Sequence, residues 1–279
     1  MADAFYKGRR GKEGVAIVKL DYIKCGDSAD LLKTLPADSI DITVTSPPYD
    51  NLRDYNGFTF DFPTIARELY RVTKPGGVLV WIVADGMVDG SETGTSFRQA
   101  LQFMDLGYKL NDTMIWSKDG FSGVGNLQAR YAQTFEYMFI LSKGRPAVFN
   151  PIKDRPNKYG GTAIHGTTRN ADGTVKPNTS NGKVLDPYGI RFNVWEIPVE
   201  HSKENRGHPA VFPEKLVRDH IRTWSNPGAV VLDPFLGSGT TAVAALKEKR
   251  HYIGFEISED YTEHARKRVE DYTAQLTFL

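Results

Sequence analysis

Ala229-Val230-Val231-Leu232-Asp233-Pro234-Phe235-Leu236-Gly237-Ser238-Gly239-Thr240-Thr241 reads as strand, loop and helix in one stretch. The short β-branched run ends at Leu232, two glycines one residue apart follow, and Thr240 to Lys249 has the spacing of a helix. A second string, Thr45-Ser46-Pro47-Pro48-Tyr49, closes another β-branched run, Ile40 to Thr45. Each string therefore reads as the loop at the C-terminal end of a buried parallel strand. That edge of an open α/β sheet is where ligands bind. Side by side, one loop can hold a cofactor and the other a flat polar substrate.

Working outward, Val15 to Leu20 reads as a strand and Asp27 to Leu35 as a helix with Asp27 or Ser28 as N-cap. After the Pro-Pro loop, Pro63 to Val72 has helical spacing, Lys74-Pro75-Gly76-Gly77 reads as a turn, and Val78 to Val83 as a buried strand. Ser96 to Leu106 is the next helix, and Leu110 to Trp116 with Tyr137 to Leu141 an antiparallel pair, the second strand starting after a Gly-rich connector, Asp119 to Gly125. Beyond Lys143 the periodicity lapses until Pro213 to Trp224, which is again helical. Tyr252 to Phe255 then reads as a strand and Glu263 to Leu276 as a closing helix. The alternation predicts an α/β protein, with residues 145–207 inserted between a part at 1–144 and a part of the same domain at 208–279.

The bulk numbers exclude more than they assert. With 279 residues, 40% hydrophobic and 25% charged, the chain has the composition of a globular protein with one sizeable core. The formal charge of +1 demands no acidic partner. Cys25 is the sole cysteine, so an internal disulfide and a multi-cysteine zinc site are both excluded, and no metal site is expected. No window approaches a membrane span and Met1 to Gly14 lacks an apolar signal region, so a cytoplasmic location is expected.

The loops also suggest chemistry. Two prolines fix consecutive φ angles, so the Ser46 hydroxyl, the Pro47 carbonyl and the Tyr49 ring are preorganised. Two acceptors can take both protons of an exocyclic amino group while an aromatic ring stacks on the heterocycle. Glu256, at the end of the strand after the glycine loop, can accept both hydroxyls of a ribose. Between Arg145 and His208 ten Lys and Arg stand against six Asp and Glu. That segment reads either as a surface insertion or as a nucleic-acid contact module.

Taken together, Asp233-Pro234-Phe235-Leu236-Gly237-Ser238-Gly239-Thr240-Thr241 and an upstream Ser46-Pro47-Pro48-Tyr49 resemble the permuted, beta-class DNA amino-methyltransferases over about Lys24 to Lys267. The resemblance implies a Rossmann-like, S-adenosylmethionine-dependent methyltransferase fold: a mostly parallel seven-stranded sheet with helices on both faces and an inserted target-recognition region. It implies S-adenosylmethionine as cofactor, held by Asp27, Asp233, Pro234, Phe235, Gly237, Ser238, Gly239, Thr240 and Glu256, with His208 and Pro209 at the methionine end. Ser46, Pro47, Pro48 and Tyr49 would form the catalytic loop. Arg53, Tyr55, Lys153, Arg155, Lys158, Arg169, Lys176, Lys183 and Arg191 would contact double-stranded DNA carrying a short recognition sequence, from which the target base is flipped out. A homodimer and a cognate restriction endonuclease are candidate partners. Family members with Ser at the head of the tetrapeptide usually modify cytosine N4, those with Asp or Asn adenine N6; the Ser here leans to N4-cytosine, with N6-adenine as the alternative. An RNA or protein N-methyltransferase and a non-catalytic DNA-binding module are the competing classes.

Overall fold

The structure, a computed structural model, describes residues 5–11, 14–48, 61–120, 129–199 and 212–277. In chain order the elements are β1 (Phe5–Gly11), β2 (Gly14–Lys19), β3 (Tyr22–Cys25), α1 (Ser28–Lys33), β4 (Ile40–Thr45), α2 (Phe62–Val72), β5 (Thr73–Val83), β6 (Met87–Val88), β7 (Ser91–Glu92), α3 (Thr95–Asp105), β8 (Lys109–Ser117) and β9 (Phe135–Ser142). Then come β10 (Arg155–Pro156), β11 (Thr167–Arg169), β12 (Val175–Pro177), β13 (Tyr188–Gly189), β14 (Val194–Glu196), α4 (Glu214–Trp224), β15 (Val230–Asp233), α5 (Thr240–Lys247), β16 (His251–Glu256) and α6 (Glu259–Thr277).

One sheet organises the larger unit, in the order β14-β8-β9-β5-β4-β15-β16-β3. Only β9 runs antiparallel to its neighbours, against β5 and β8. The central strands are continuous apolar runs because both faces are covered: every residue from Val78 to Val83 is buried. Alternation sends Leu79, Trp81 and Val83 into the cluster formed with Leu32 of α1, Leu69 of α2 and Phe103 of α3. On the opposite face Met138, paired with Ile82, meets His220 of α4, and α4, α5 and α6 pack in succession. Trp81 anchors the first face, with its ring edge-on to Phe103 and its indole N–H donating to Gln99 Oε1 at 2.8 Å.

The winding reverses in the middle of the sheet. β4 continues through α2 to β5 on one side, whereas β15 continues through α5 to β16 on the other. The carboxyl ends of β4 and β15 therefore flank the switch point, where an open α/β sheet presents its ligand crevice.

Two expectations need correction, the number of strands and the turn at Lys74 to Gly77. The sheet has eight strands rather than seven, because β14, from within the segment read as an insertion, adds in parallel to β8 and buries Trp195 against His220. Val15 to Leu20 is a strand as read, β2, but it pairs with β1 and not with the large sheet; the chain turns at Asp21, which has φ 58°, before β3 takes the edge beside β16. Lys74 to Gly77 is no free turn but lies within β5, where Lys74 pairs with Asp41 at 2.7 Å and Gly76, at φ 81°, packs on Ala147. Within the segment 145–207, the residues from Pro151 to Phe192 form a second compact unit.

That second unit contains short pairings: β10 with β13, β11 with β12, and a bridge between Ala163 and Val184. None of its residues is buried. Side-chain bonds brace its turns, as where Asp172 Oδ1 accepts from Thr174 N at 2.9 Å and Thr174 Oγ1 at 2.6 Å. No helix among the described residues is long and apolar enough to cross a membrane.

Candidate active site

The site begins with the pairing of β15 and β4, which sets Leu232 opposite Thr43. One residue further, Asp233 is buried at the strand end and both oxygens of its carboxylate accept hydrogen bonds. Thr45 Oγ1 donates to Oδ1 at 2.6 Å, Phe235 N donates to the same oxygen at 3.0 Å, and Thr241 Oγ1 donates to Oδ2 at 2.6 Å. Burial pushes the Asp233 carboxyl up to about 6; the bonds from Thr241, Thr45 and Phe235 pull it down, and the charge of Glu256 pushes it further up. Asp233 thus joins the last residue before Ser46-Pro47-Pro48 to the first turn of α5. In that short run Pro47 is buried and Ser46 and Pro48 are half-buried.

Beside it, β16 ends at Glu256, also buried. Its Oε2 accepts from Gly237 N at 2.8 Å and its Oε1 from Ser258 N at 3.0 Å, so each carboxylate oxygen keeps further acceptor capacity. Burial raises the Glu256 carboxyl, against the backbone hydrogen bonds that favour its charged form. β3 pairs Cys25 with Glu256, and Gly26 N donates to Glu256 O at 2.8 Å. The next residue, Asp27, is exposed and caps α1 by accepting from Ala29 N at 2.7 Å. Ser28 Oγ donates to the Pro234 carbonyl, tying this turn to the glycine loop.

The glycine loop requires its glycines. Gly239 has φ 88° and a side chain there would meet Ala265 of α6, with a Cβ 3.0 Å from Ala265 Cβ. Gly254 of β16 lies so close to Leu236 that a Cβ would stand 2.5 Å from Leu236 Cδ2. Phe235 packs edge-on to Trp81. The outcome is a tight turn at the sheet edge, with Leu236 N donating to Phe255 O at 2.8 Å and Gly239 N to Leu236 O at 3.1 Å.

The structure brings Asp27, Ser46, Pro47, Pro48, Asp233, Pro234, Phe235, Gly237, Ser238, Gly239, Thr240 and Glu256 to one edge of the sheet. Tyr49, Arg53, Tyr55, His208 and Pro209 lie outside the described residues. In the second unit Lys153, Lys158, Arg169, Lys176 and Lys183 are exposed. Arg191 and Arg155 do other work there: Arg191 Nε donates to Asp154 at 3.0 Å and Arg155 stacks over Phe192.

Sequence reading overlooked Thr45 and Thr241 as the two hydroxyls on Asp233. It offered Ser28 only as an N-cap and not as the hydroxyl on the Pro234 carbonyl, and passed over Asp85, which is buried just after β5 and accepts from Ser96 N at 2.9 Å and Ser96 Oγ at 2.6 Å. Asp85 caps α3, whose N-cap Gly94 has no side chain to do so. A Thr as the last residue of one switch-point strand and an Asp as the last residue of the other is a signal that could have been read.

This arrangement suits a nucleoside with an amino-acid tail. A buried carboxylate with spare acceptor capacity can take ribose hydroxyls, and a glycine turn opening a helix can take a carboxylate. A family model described as DNA methylase, for N6 and N4 amino-methyltransferases, matches residues 40–267. The chain belongs to this DNA methylase family. The methylase is similar to the orphan methyltransferase M.BamHII of Bacillus amyloliquefaciens, 52% identical over 242 residues covering 84% of this chain and 90% of that one. Its fold matches TTHA0409 of Thermus thermophilus, solved with S-adenosyl-L-methionine, at a TM-score of 0.62 and 23% identity over 90% of this chain and 94% of that one. It also matches PvuII DNA methyltransferase, described as cytosine-N4-specific, at a TM-score of 0.63 and 21% identity over 90% of each chain. The methylase is a DNA amino-methyltransferase, with the Rossmann-like fold of S-adenosylmethionine-dependent enzymes.

Proposed function

We propose that this methylase modifies the N4 amino group of a cytosine, flipped out of duplex DNA within a short recognition sequence. The observation that carries the choice of base is Ser46, a hydroxyl at the head of the Pro47-Pro48 turn, next to the Thr45 that is bonded to Asp233. The cofactor is S-adenosylmethionine, which when bound supplies an electrophilic methyl group on a sulfonium.

The chain's own residues do the rest by positioning. Ser46 Oγ and the Pro47 carbonyl accept the two amino protons and turn the nitrogen lone pair toward the cofactor. The Tyr49 ring stacks on the base. The prolines hold these groups with little entropy to lose, and the Thr45–Asp233 bond keeps them in step with the cofactor turn. Glu256 accepts from the ribose, Asp27 lies toward the adenine, and His208-Pro209 lines the methionine end. Residues 145–207 serve as the target-recognition region. Support comes from the 151–192 unit, with seven Lys and Arg against three Asp and no buried residue, as befits a surface that binds phosphates and base edges. A homodimer is supported by Phe97, Leu101 and Met104, exposed along one face of α3, and sedimentation equilibrium tests it.

The deciding experiment incubates the protein with S-adenosylmethionine and unmethylated genomic DNA, digests the DNA to nucleosides and analyses them by mass spectrometry. N4-methylcytosine is the expected product. N6-methyladenine would overturn the assignment of the base and leave the amino-methyltransferase reading intact.

A further inference from the structure

α6 carries a side chain aimed at the glycine loop. Arg268 is half-buried, and its Nη1 faces three acceptors of that loop: Thr240 Oγ1 at 3.0 Å, Ser238 O at 3.3 Å and Ser238 Oγ at 3.4 Å. The same helix presses on the loop at Gly239, where Ala265 Cα lies 3.1 Å from the place a Cβ would occupy. Ser238-Gly239-Thr240 is therefore backed along its length by α6.

The electrostatics of this contact point to a ligand group. α5 begins at Gly239 with no side-chain cap, so its first-turn amides keep their capacity to bind an incoming acceptor. A cation beside the positive end of a helix is unfavourable by itself, and here the bonds to Ser238 and Thr240 hold it in place. Helix end and guanidinium together raise the potential of the turn, an arrangement that favours an anionic group. The Glu256 carboxylate, on Gly237 N, disfavours an anion at the opposite end of the loop.

We propose that Arg268 is a positioning residue for the cofactor turn, fixing Ser238-Gly239-Thr240 so that the turn receives the carboxylate at the methionine end of S-adenosylmethionine. This rests on reading the loop as the cofactor site. Calorimetric titration of S-adenosylhomocysteine, and of 5′-methylthioadenosine, which has the nucleoside but no amino-acid tail, separates the two ideas. Arg268→Met should weaken S-adenosylhomocysteine roughly tenfold, as expected for loss of charge-assisted hydrogen bonds, and leave 5′-methylthioadenosine within about twofold. KM for S-adenosylmethionine should rise while kcat changes little, and Arg268→Lys should recover most of the loss. Wild-type affinity in Arg268→Met, or equal loss of both ligands, would overturn the proposal. If Arg268→Met melts early, Arg268→Gln gives the same comparison with the charge removed and a donor retained. Glu256→Ala is the control for the underlying reading. If it leaves both ligands bound as in wild type, the cofactor does not sit at this loop; if it weakens both while Arg268→Met changes neither, only the role of Arg268 fails.

Discussion

Thr45 and Asp233 stand 188 residues apart in the chain and meet at 2.6 Å. Replacing Thr45 with Val keeps the shape of the side chain and removes the donor, leaving Oδ1 of a buried carboxylate with Phe235 N alone. A lost hydrogen bond to a charged group costs about 1.5–3 kcal/mol. Thr45→Val should accordingly raise KM for S-adenosylmethionine by roughly tenfold or more and lower turnover, with Thr45→Ser close to wild type in steady-state kinetics. Asp233 adds a pH signature. Its carboxyl sits at about 6 in the fold, above the ordinary value of 3.8, chiefly because it is buried. Between those values the folded protein keeps a proton that the unfolded chain releases, so stability from this group is full below 3.8 and declines as pH rises to about 6. Urea midpoints measured from pH 4 to 7 should show wild type losing stability relative to Asp233→Asn across that window and running parallel to it above.

Among the elements, the β11–β12 hairpin is the clearest candidate for reading DNA, because Arg169 and Lys176 are exposed on it. Arg169→Glu and Lys176→Glu should raise KM for DNA and leave KM for S-adenosylmethionine unchanged. Each should also lower the slope of log affinity against log salt by about one, if the side chain neutralises one phosphate. Arg155 and Arg191 should behave differently, since they hold Phe192 and Asp154. Their loss should loosen the unit as a whole. Charge counting could not separate these two groups of basic residues, because both are Lys or Arg among Gly, Pro and Asn; only their partners distinguish them. A similar limit explains β3. Four residues with one exposed lysine carry little periodicity, and the strand exists because Ile23 and its neighbours pair with Gly254 and Phe255.

For the whole molecule, the second unit is entered and left at one place: Arg191 N donates to Ile152 O at 2.9 Å. Residues 153–190 can therefore be excised and replaced by a short glycine linker between Ile152 and Arg191. Such a protein should bind S-adenosylhomocysteine within about twofold of wild type, because loop closure changes stability only slowly with length and no residue proposed to hold the cofactor is removed. Methylation of DNA should be lost in the nucleoside assay. Loss of cofactor binding in a folded excision variant would mean that 153–190 contribute to the cofactor site.

The local content of the chain was legible without coordinates. A continuous apolar run marks Val78 to Val83, helical spacing marks Pro213 to Trp224, and proline and glycine mark the two loops, because these signals depend on near neighbours and on backbone sterics; the order of the loops is read directly along the chain. The neighbours of each strand were another matter. That β4 lies beside β15, that β14 leaves the inserted segment to bury Trp195, and that β2 stays out of the sheet are decided by register and burial between residues far apart in the chain. The same holds for the hydroxyls on Asp233 and the guanidinium on Ser238 and Thr240. A Thr or an Arg has no local mark of its partner, so the sequence by itself determined which loops could form a site, and only the tertiary structure decided which side chains hold those loops together.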